Sequence, residues 1–204
     1  EDMVNQLLDT LRKSNFEADK PLVLDLGCGP GNIAERISSR WKKAKVIGID
    51  DSPEMIRVAN KRKNLRYPNL FSRRLEYIQM NISSLAKSES SLASCADVVV
   101  SNSLIHHIHD PNLFFSALLN VSKNGAIHFH RDLRRPSTYD EVLDIQKRNL
   151  PNAPQIMVRD FIASLSAAYT CKEIKILLEA AKIGKFIVSE KDDRYIDIIG
   201  NVYK

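Results

Sequence analysis

Residues 22–32 read Leu22-Val23-Leu24-Asp25-Leu26-Gly27-Cys28-Gly29-Pro30-Gly31-Asn32. The apolar run Leu22 to Leu26 predicts a buried strand, glycines follow at 27, 29 and 31, and a helical pattern begins with Ile33 to Ile37. Strand, glycine turn and helix in that order open a nucleotide-type site in a doubly wound α/β sheet. Glycine reaches positive φ at little cost and lets the backbone approach a ligand with no Cβ between them. The spacing narrows the ligand. A dinucleotide fingerprint runs G-x-G-x-x-G, with pyrophosphate on the helix N-terminus. Here the third glycine comes one residue early. Asp25 also precedes the first glycine, where a pyrophosphate is repelled and a cation is welcome.

Outward from this stretch the periodicity alternates. Val4, Leu7, Leu8 and Leu11 form the stripe of an amphipathic helix over residues 2–13. A helix is expected from about Asn32 to Trp41, and a second strand over Lys45 to Asp50. Ser52 as N-cap with Pro53 at the first helical position opens a helix to about Asn64. Strands are expected at Leu75 to Met80, Ala96 to Val100 and Ala126 to His130, with a Ser-rich loop over 83–94 and a helix over Asn112 to Val121. Repeated β-α order implies parallel strands with helices on both faces. The rhythm then breaks. Residues 132–169 hold two helical patterns, Tyr139 to Arg148 and Arg159 to Ala168, around a Pro-bearing linker. Thr170 and Glu173 form a capping box for a helix that stops near Gly184. Lys185 to Ser189 and Tyr195 to Asn201 read as a terminal hairpin.

The chain of 204 residues, 44% apolar and 27% charged, fits one globular domain. No apolar run is long enough to span a bilayer, and no signal-peptide pattern opens the chain. It begins on Glu1 rather than Met, so we expect sequence to precede it. Cys28, Cys95 and Cys171 lack metal-ligand spacing and read as reduced thiols of a cytoplasmic protein. The net charge of +5 is concentrated in Arg57, Lys61, Arg62, Lys63, Arg66, Arg73 and Arg74. Such a segment can attract nucleic acid, but without interleaved aromatics it reads as a solvated helix face.

Asp25-x-Gly27-x-Gly29-x-Gly31 resembles motif I of the class I methyltransferases, which bind S-adenosylmethionine, a ligand with an ammonium and a sulfonium. The resemblance extends from Leu22 to Gly200 and implies a Rossmann-like α/β fold. Its doubly wound seven-stranded sheet would run in the order 3-2-1-4-5-7-6 with strand 7 antiparallel, and here with a helical insertion after strand 5. Asp50, at the end of the second strand, matches the family's ribose-binding carboxylate, with Asp51 and Met55 beside it. A carboxylate there accepts from both ribose hydroxyls, each bond worth roughly 1.5–3 kcal/mol. After the third strand the family places an Asp on the adenine amino group; here Asn81 stands there, followed by Ile82, and the Asn carbonyl is expected to accept instead. The expected cofactor set is Asp25, Gly27, Cys28, Gly29, Gly31, Asp50, Asp51, Met55, Asn81, Ile82, Ser101 and Asn102.

The stretch Ser101-Asn102-Ser103-Leu104-Ile105-His106-His107-Ile108-His109-Asp110-Pro111 resembles motif IV of the small-molecule, quinone-biosynthesis-like branch. No carboxylate or cysteine set completes a metal site around its histidines, so no metal is expected. Methyl transfer is an in-line displacement that needs positioning above all; a general base adds roughly 10²–10⁴ in rate where the acceptor must lose a proton. His107, His130 and Tyr169 are the catalytic candidates, with a structural histidine the alternative at 107; Asp132 also lies near the strand ends, and His128 reads as core. The expected function is O- or C-methylation of a small acceptor beneath a lid formed by residues 132–169. Arg131, Arg134, Arg135 and Arg159 suggest that this acceptor is anionic or phenolic. The alternatives are an RNA-directed methyltransferase using the basic segment at 57–74, or a protein that binds S-adenosylmethionine without catalysis. The sequence does not fix the oligomeric state.

Overall fold

The computed structural model describes residues 2–66 and 74–204. Eight helices and seven strands are seen among them. The helices are α1 Asp2–Lys13, α2 Asn32–Arg40, α3 Pro53–Arg66, α4 Ile82–Leu85, α5 Pro111–Val121, α6 Tyr139–Asn149, α7 Gln155–Ala167 and α8 Cys171–Ala181. The strands are β1 Leu22–Leu26, β2 Lys45–Asp50, β3 Leu75–Gln79, β4 Ala96–Asn102, β5 Ser122–Leu133, β6 Gly184–Lys191 and β7 Tyr195–Val202. The sheet order is β3-β2-β1-β4-β5-β7-β6, with β7 antiparallel to both neighbours. Order and direction are those the resemblance implied.

Both faces of the sheet are covered, and the side-chain alternation of β1 divides them. Val23 joins Val46, Val98 and Val100 beneath α1 and α2, through Met3, Val4, Leu7, Leu11, Ala34 and Ile37. Leu24 and Leu26 join Ile47, Ile49 and Val99 beneath α5 and α8, through Phe114, Leu118, Ile174 and Leu178. A smaller cluster of Leu133, Val142, Ile145, Leu165 and Ala168 seats α6 and α7 at the far end of β5. α7 packs beside the one-turn 3-10 segment Ile105–His107.

Several boundaries differ from expectation: β5 starts at Ser122 rather than Ala126, and α7 at Gln155 rather than Arg159. β5 runs three residues past His130, because β7 pairs with it as far as Leu133↔Tyr195. The carboxyl end of this strand is therefore Arg131 to Leu133, not His130. Inside the expected Ser-rich loop, Asn81 accepts from the Ser84 N–H and caps the short helix α4.

Candidate functional site

The turn after β1 is built by three residues with positive φ: Gly27 at 64°, Gly29 at 52° and Gly31 at 84°. Their roles diverge. A Cβ at Gly29 meets nothing within 4 Å, so this backbone faces open space. A Cβ on Gly27 lies 2.7 Å from the Leu104 side chain, which covers the turn from the β4 side. A Cβ on Gly31 lies 2.3 Å from the Tyr77 hydroxyl. Gly31 is thus a packing glycine, as is the third glycine of many strand-turn-helix units, and it lines neither of the cavities described below.

Two cavities meet across this turn, sharing Gly27, Gly29 and Pro30 in their walls. The larger, about 720 Å³, has Asp50, Asp51 and Met55 on one side, Asn81 and Ile82 at the end of β3, and Leu104 and His107 from the loop after β4. The smaller, about 430 Å³, takes in Asp25, Cys28, Asn32, Arg36, Asn102, Arg131 and Tyr195, with Asp2 and Met3 of α1 forming a wall. Apart from Gly31 and Ser101, every expected cofactor residue borders one or the other. Asp2, Met3, Arg36 and Tyr195 were not anticipated. The stripe on α1 reports that the helix is buried, and nothing local reports which cavity its first turn closes.

Asp50 accepts from the Gly29 N–H at 2.8 Å and from the Ser52 N–H at 3.0 Å, so one carboxylate ties the turn to the start of α3. A carboxylate offers about four lone-pair positions, which leaves acceptor capacity facing the larger cavity. Asp25, 1% exposed, accepts from the Ala34 N–H at 3.0 Å and so caps α2 from within β1. Burial pushes its carboxyl up to about 7, and the nearby Asp50 charge adds to the rise, against the lowering effect of the Ala34 N–H. Burial, with Asp25 and Asp50, likewise raises the Cys28 thiol, which stays protonated. Cys28 is a wall, not a nucleophile.

The structure corrects several expectations. Ser101 is fully buried, and its hydroxyl turns away from both cavities to His130 Nδ1 at 2.9 Å. His130 itself is 1% exposed, and its Nε2 lies 3.1 Å from His128 Nδ1. Burial lowers the His130 pKa to about 3, and the ring borders neither cavity. It is a core histidine with no route to an acceptor. Tyr169 also borders neither cavity: it packs against the core, and burial followed by Glu173, Asp110 and Asp132 raises its phenol. The Asn81 carbonyl oxygen, expected on an adenine amino group, accepts instead from the Ser84 N–H and the Ser83 hydroxyl, both at 2.9 Å. Its amide nitrogen is the atom left for a ligand. Three of the arginines counted toward an anionic acceptor are committed within the fold: Arg131 to Asp197 and Asp2, Arg134 to Glu190, and Arg135 to Glu173. Arg159 is exposed on α7 and borders neither cavity.

His107 differs from the other candidates. It is exposed and borders the larger cavity, and burial with the neighbouring His106 lowers its pKa, against an opposing pull from Asp132. Its ring centroid lies 4.0 Å from that of His106. The basic segment is also partly consumed. Arg62 and Arg66 pair with Glu35, and Arg74 donates to the Ser38 and Lys42 carbonyls; Arg73 lies outside the described residues. Among the described residues no helix is long and apolar enough to cross a membrane.

Comparison with known proteins identifies the family and the fold. A family model described as a methyltransferase domain matches residues 18–186. A trans-aconitate 2-methyltransferase of Azoarcus sp. is 29% identical over 152 residues, 74% of this chain and 53% of the relative. A malonyl-acyl-carrier-protein O-methyltransferase of Bacillus anthracis is 29% identical over 108 residues, 53% of this chain and 36% of the relative. The chain thus spans about half the length of the first of these curated relatives, and less of the second. Among solved structures, a SAM-dependent methyltransferase from Aquifex aeolicus superposes with a TM-score of 0.67 at 18% identity, covering 98% of this chain and 96% of its own. A plantazolicin methyltransferase in complex with SAH superposes with a TM-score of 0.73 at 18% identity, covering 99% and 83%.

Proposed function

The chain belongs to the methyltransferase-domain family and has the fold of S-adenosylmethionine-dependent methyltransferases, and from that premise we propose that it methylates a carboxylate oxygen of a small anionic acceptor. The observation that carries the reading is the pair of cavities joined across Gly27–Pro30, with Asp50 in one and Asp25 in the other.

The residues present fit S-adenosylmethionine. The open space over Gly29 admits a close backbone approach, Asp50 has acceptor capacity for ribose hydroxyls, and Met55, Ile82 and Leu104 offer apolar walls for a base. Asp25 supplies a carboxylate to the smaller cavity for the ammonium of the cofactor's zwitterionic methionyl end, and Arg36 in the same wall suits the carboxylate of that end. When bound, the cofactor supplies a methyl group on a sulfonium, an electrophile that needs no further activation. The chain's own part is to hold the acceptor in line, worth on the order of 7–11 kcal/mol.

The names of the relatives support a carboxylate acceptor: trans-aconitate is a carboxylic acid, and a malonyl thioester carries one free carboxylate. A carboxylate reaches the site already ionised, so no general base is required. His107, kept neutral by its lowered pKa, then serves as an N–H donor that orients the acceptor. The helical segment is shorter than the expected 132–169, since Asp132 and Leu133 belong to β5, and its α7 packs beside the His107 turn, where we read it as the lid.

The test begins with calorimetric titration of S-adenosylhomocysteine, followed by incubation with methyl-labelled S-adenosylmethionine and a metabolite extract. A labelled product that releases methanol in mild base is expected, as from a methyl ester. Label that resists base would overturn the carboxylate assignment, and failure to bind S-adenosylhomocysteine would overturn the whole reading.

A further inference from the structure

Asp132, near the carboxyl end of β5, is 2% exposed and is surrounded by donors. Its Oδ2 accepts from the Leu104 N–H at 2.9 Å and the Ile105 N–H at 2.5 Å. Its Oδ1 accepts from the Leu133 N–H at 2.7 Å and faces His106 Nδ1, whose ring is also buried. Four partners saturate a carboxylate, so Asp132 has no lone pair left for an acceptor proton. What it holds is the loop after β4. That loop is strained at its bend: Ser103 sits at φ 56°, a left-handed conformation that costs a non-glycine residue roughly 1–2 kcal/mol, and its N–H donates to the Arg131 carbonyl at 2.8 Å. Just past the bend, Leu104 covers Gly27 and His107 enters the larger cavity in ring contact with the pinned His106.

We infer that Asp132 is a positioning residue for methyl transfer, fixing the strained 103–107 loop so that Leu104 closes over the glycine turn and His107 is presented to the acceptor. This rests on the reading of His107 as the acceptor contact. Asp132 acts through other residues, and displacement of a positioned group by about 1 Å costs on the order of 10²-fold in rate.

Asp132→Asn preserves shape and tests the inference. With its amide oxygen on the two loop N–H groups, the new NH₂ deprives the Leu133 N–H of its acceptor and donates to His106 Nδ1, so His106 must carry its proton on Nε2. NMR on histidine-labelled protein should therefore show the opposite His106 tautomer, and a His107 titration midpoint displaced downward through loss of the Asp132 charge. His106 stands against that ring on its own turn, and His109, Asp110, Asp50 and Asp51 are the other ionisable groups bordering the same cavity. Label incorporation from S-adenosylmethionine into the extract product should fall at least tenfold, with S-adenosylhomocysteine affinity within about threefold of wild type. A folded Asp132→Asn variant with unchanged His106 and His107 signals and unchanged incorporation would overturn the inference. Should that variant not fold, His106→Asn leaves Asp132 in place and must raise the His107 midpoint while lowering incorporation; an unmoved midpoint overturns the inference equally. His107→Ala separates the two layers: undiminished incorporation there sinks the role of His107 itself, whatever Asp132→Asn does to the signals.

Discussion

Tyr77 donates its hydroxyl proton to the Gly31 carbonyl oxygen at 3.1 Å, across the space that a side chain at position 31 would need. The third glycine of the turn is therefore explained by β3 and not by a ligand, whereas the second, Gly29, faces open space. Two alanine substitutions separate the roles. Gly29→Ala carries backbone strain of roughly 1–2 kcal/mol, a Tm fall of several degrees in a domain of this size. Its new methyl group points where a ligand must approach, so S-adenosylhomocysteine affinity should drop at least tenfold. Gly31→Ala adds the overlap with Tyr77 to the same strain and should lose more stability than Gly29→Ala. Equal Tm losses, or full affinity in Gly29→Ala, would contradict this division.

Asp50→Ala should weaken S-adenosylhomocysteine binding by about 10²-fold or more, since two charge-assisted bonds to ribose hydroxyls are worth roughly 3 kcal/mol together at the low end. Asp50→Asn removes the charge and keeps one acceptor oxygen, enough for either the Gly29 or the Ser52 N–H but not for both, and should fall between wild type and Asp50→Ala. Calorimetry on both variants measures the effect. Wild-type affinity in Asp50→Ala would remove the cofactor assignment.

Affinity for S-adenosylmethionine should rise between pH 6 and pH 8. The Asp25 carboxyl, with a pKa of about 7, is mostly neutral at the lower pH and mostly charged at the higher. Asp25→Asn should flatten this profile. The stability linkage has the opposite sense: the folded pKa lies above the ordinary carboxylate value, so the unfolded chain releases its proton first. Stability from this group is therefore lost as pH rises from about 4 to about 7. A steep binding profile that survives Asp25→Asn would place the titrating group elsewhere.

Acid should unfold the protein through the buried histidines of β5. Ser122 donates to the Leu118 carbonyl at 2.5 Å and so accepts from His128 Nε2–H; His128 Nδ1 accepts from His130 Nε2–H, and His130 Nδ1 accepts from Ser101. The link between the two rings fails when both are protonated, and burial disfavours even the first added proton. With a folded pKa of about 3 for His130 against 6.5 in the unfolded chain, stability falls as pH drops through that window, by up to about 5 kcal/mol. Denaturant titrations at pH 7 and pH 4.5 measure the loss. His130→Gln, which cannot titrate, should lose less on acidification although it starts less stable.

Much of the architecture was legible because the signals that carry it are local. The capping box at Thr170 and Glu173 formed as read, and the Ser52 hydroxyl accepts from the Met55 N–H as an N-cap does. Both depend only on residues within one helical turn of each other. The arginines were misread because charge complementarity is long-range. Arg131 meets Asp197 in a two-pronged contact at 2.6 and 2.7 Å, and position 197 lies on the last strand of the chain. His130 was misread because the end of β5 is set by its pairing with β7, and β7 is far away in sequence.

Spacing, periodicity and glycine chemistry suffice for the strand-turn-helix unit at residues 22–40, the parallel direction of the first five strands and the acid at the end of the second; the strand order came from the family resemblance. Only the tertiary structure decided which expected residues face a cavity. Ser101 and His130 turn inward, Asn81 spends its carbonyl on a helix cap, α1 closes the smaller cavity, and Asp132 gathers the loop that carries His107. Alternation along a strand tells a side chain which face it shares. Only packing and register decide whether that face, at that depth, is core or cavity.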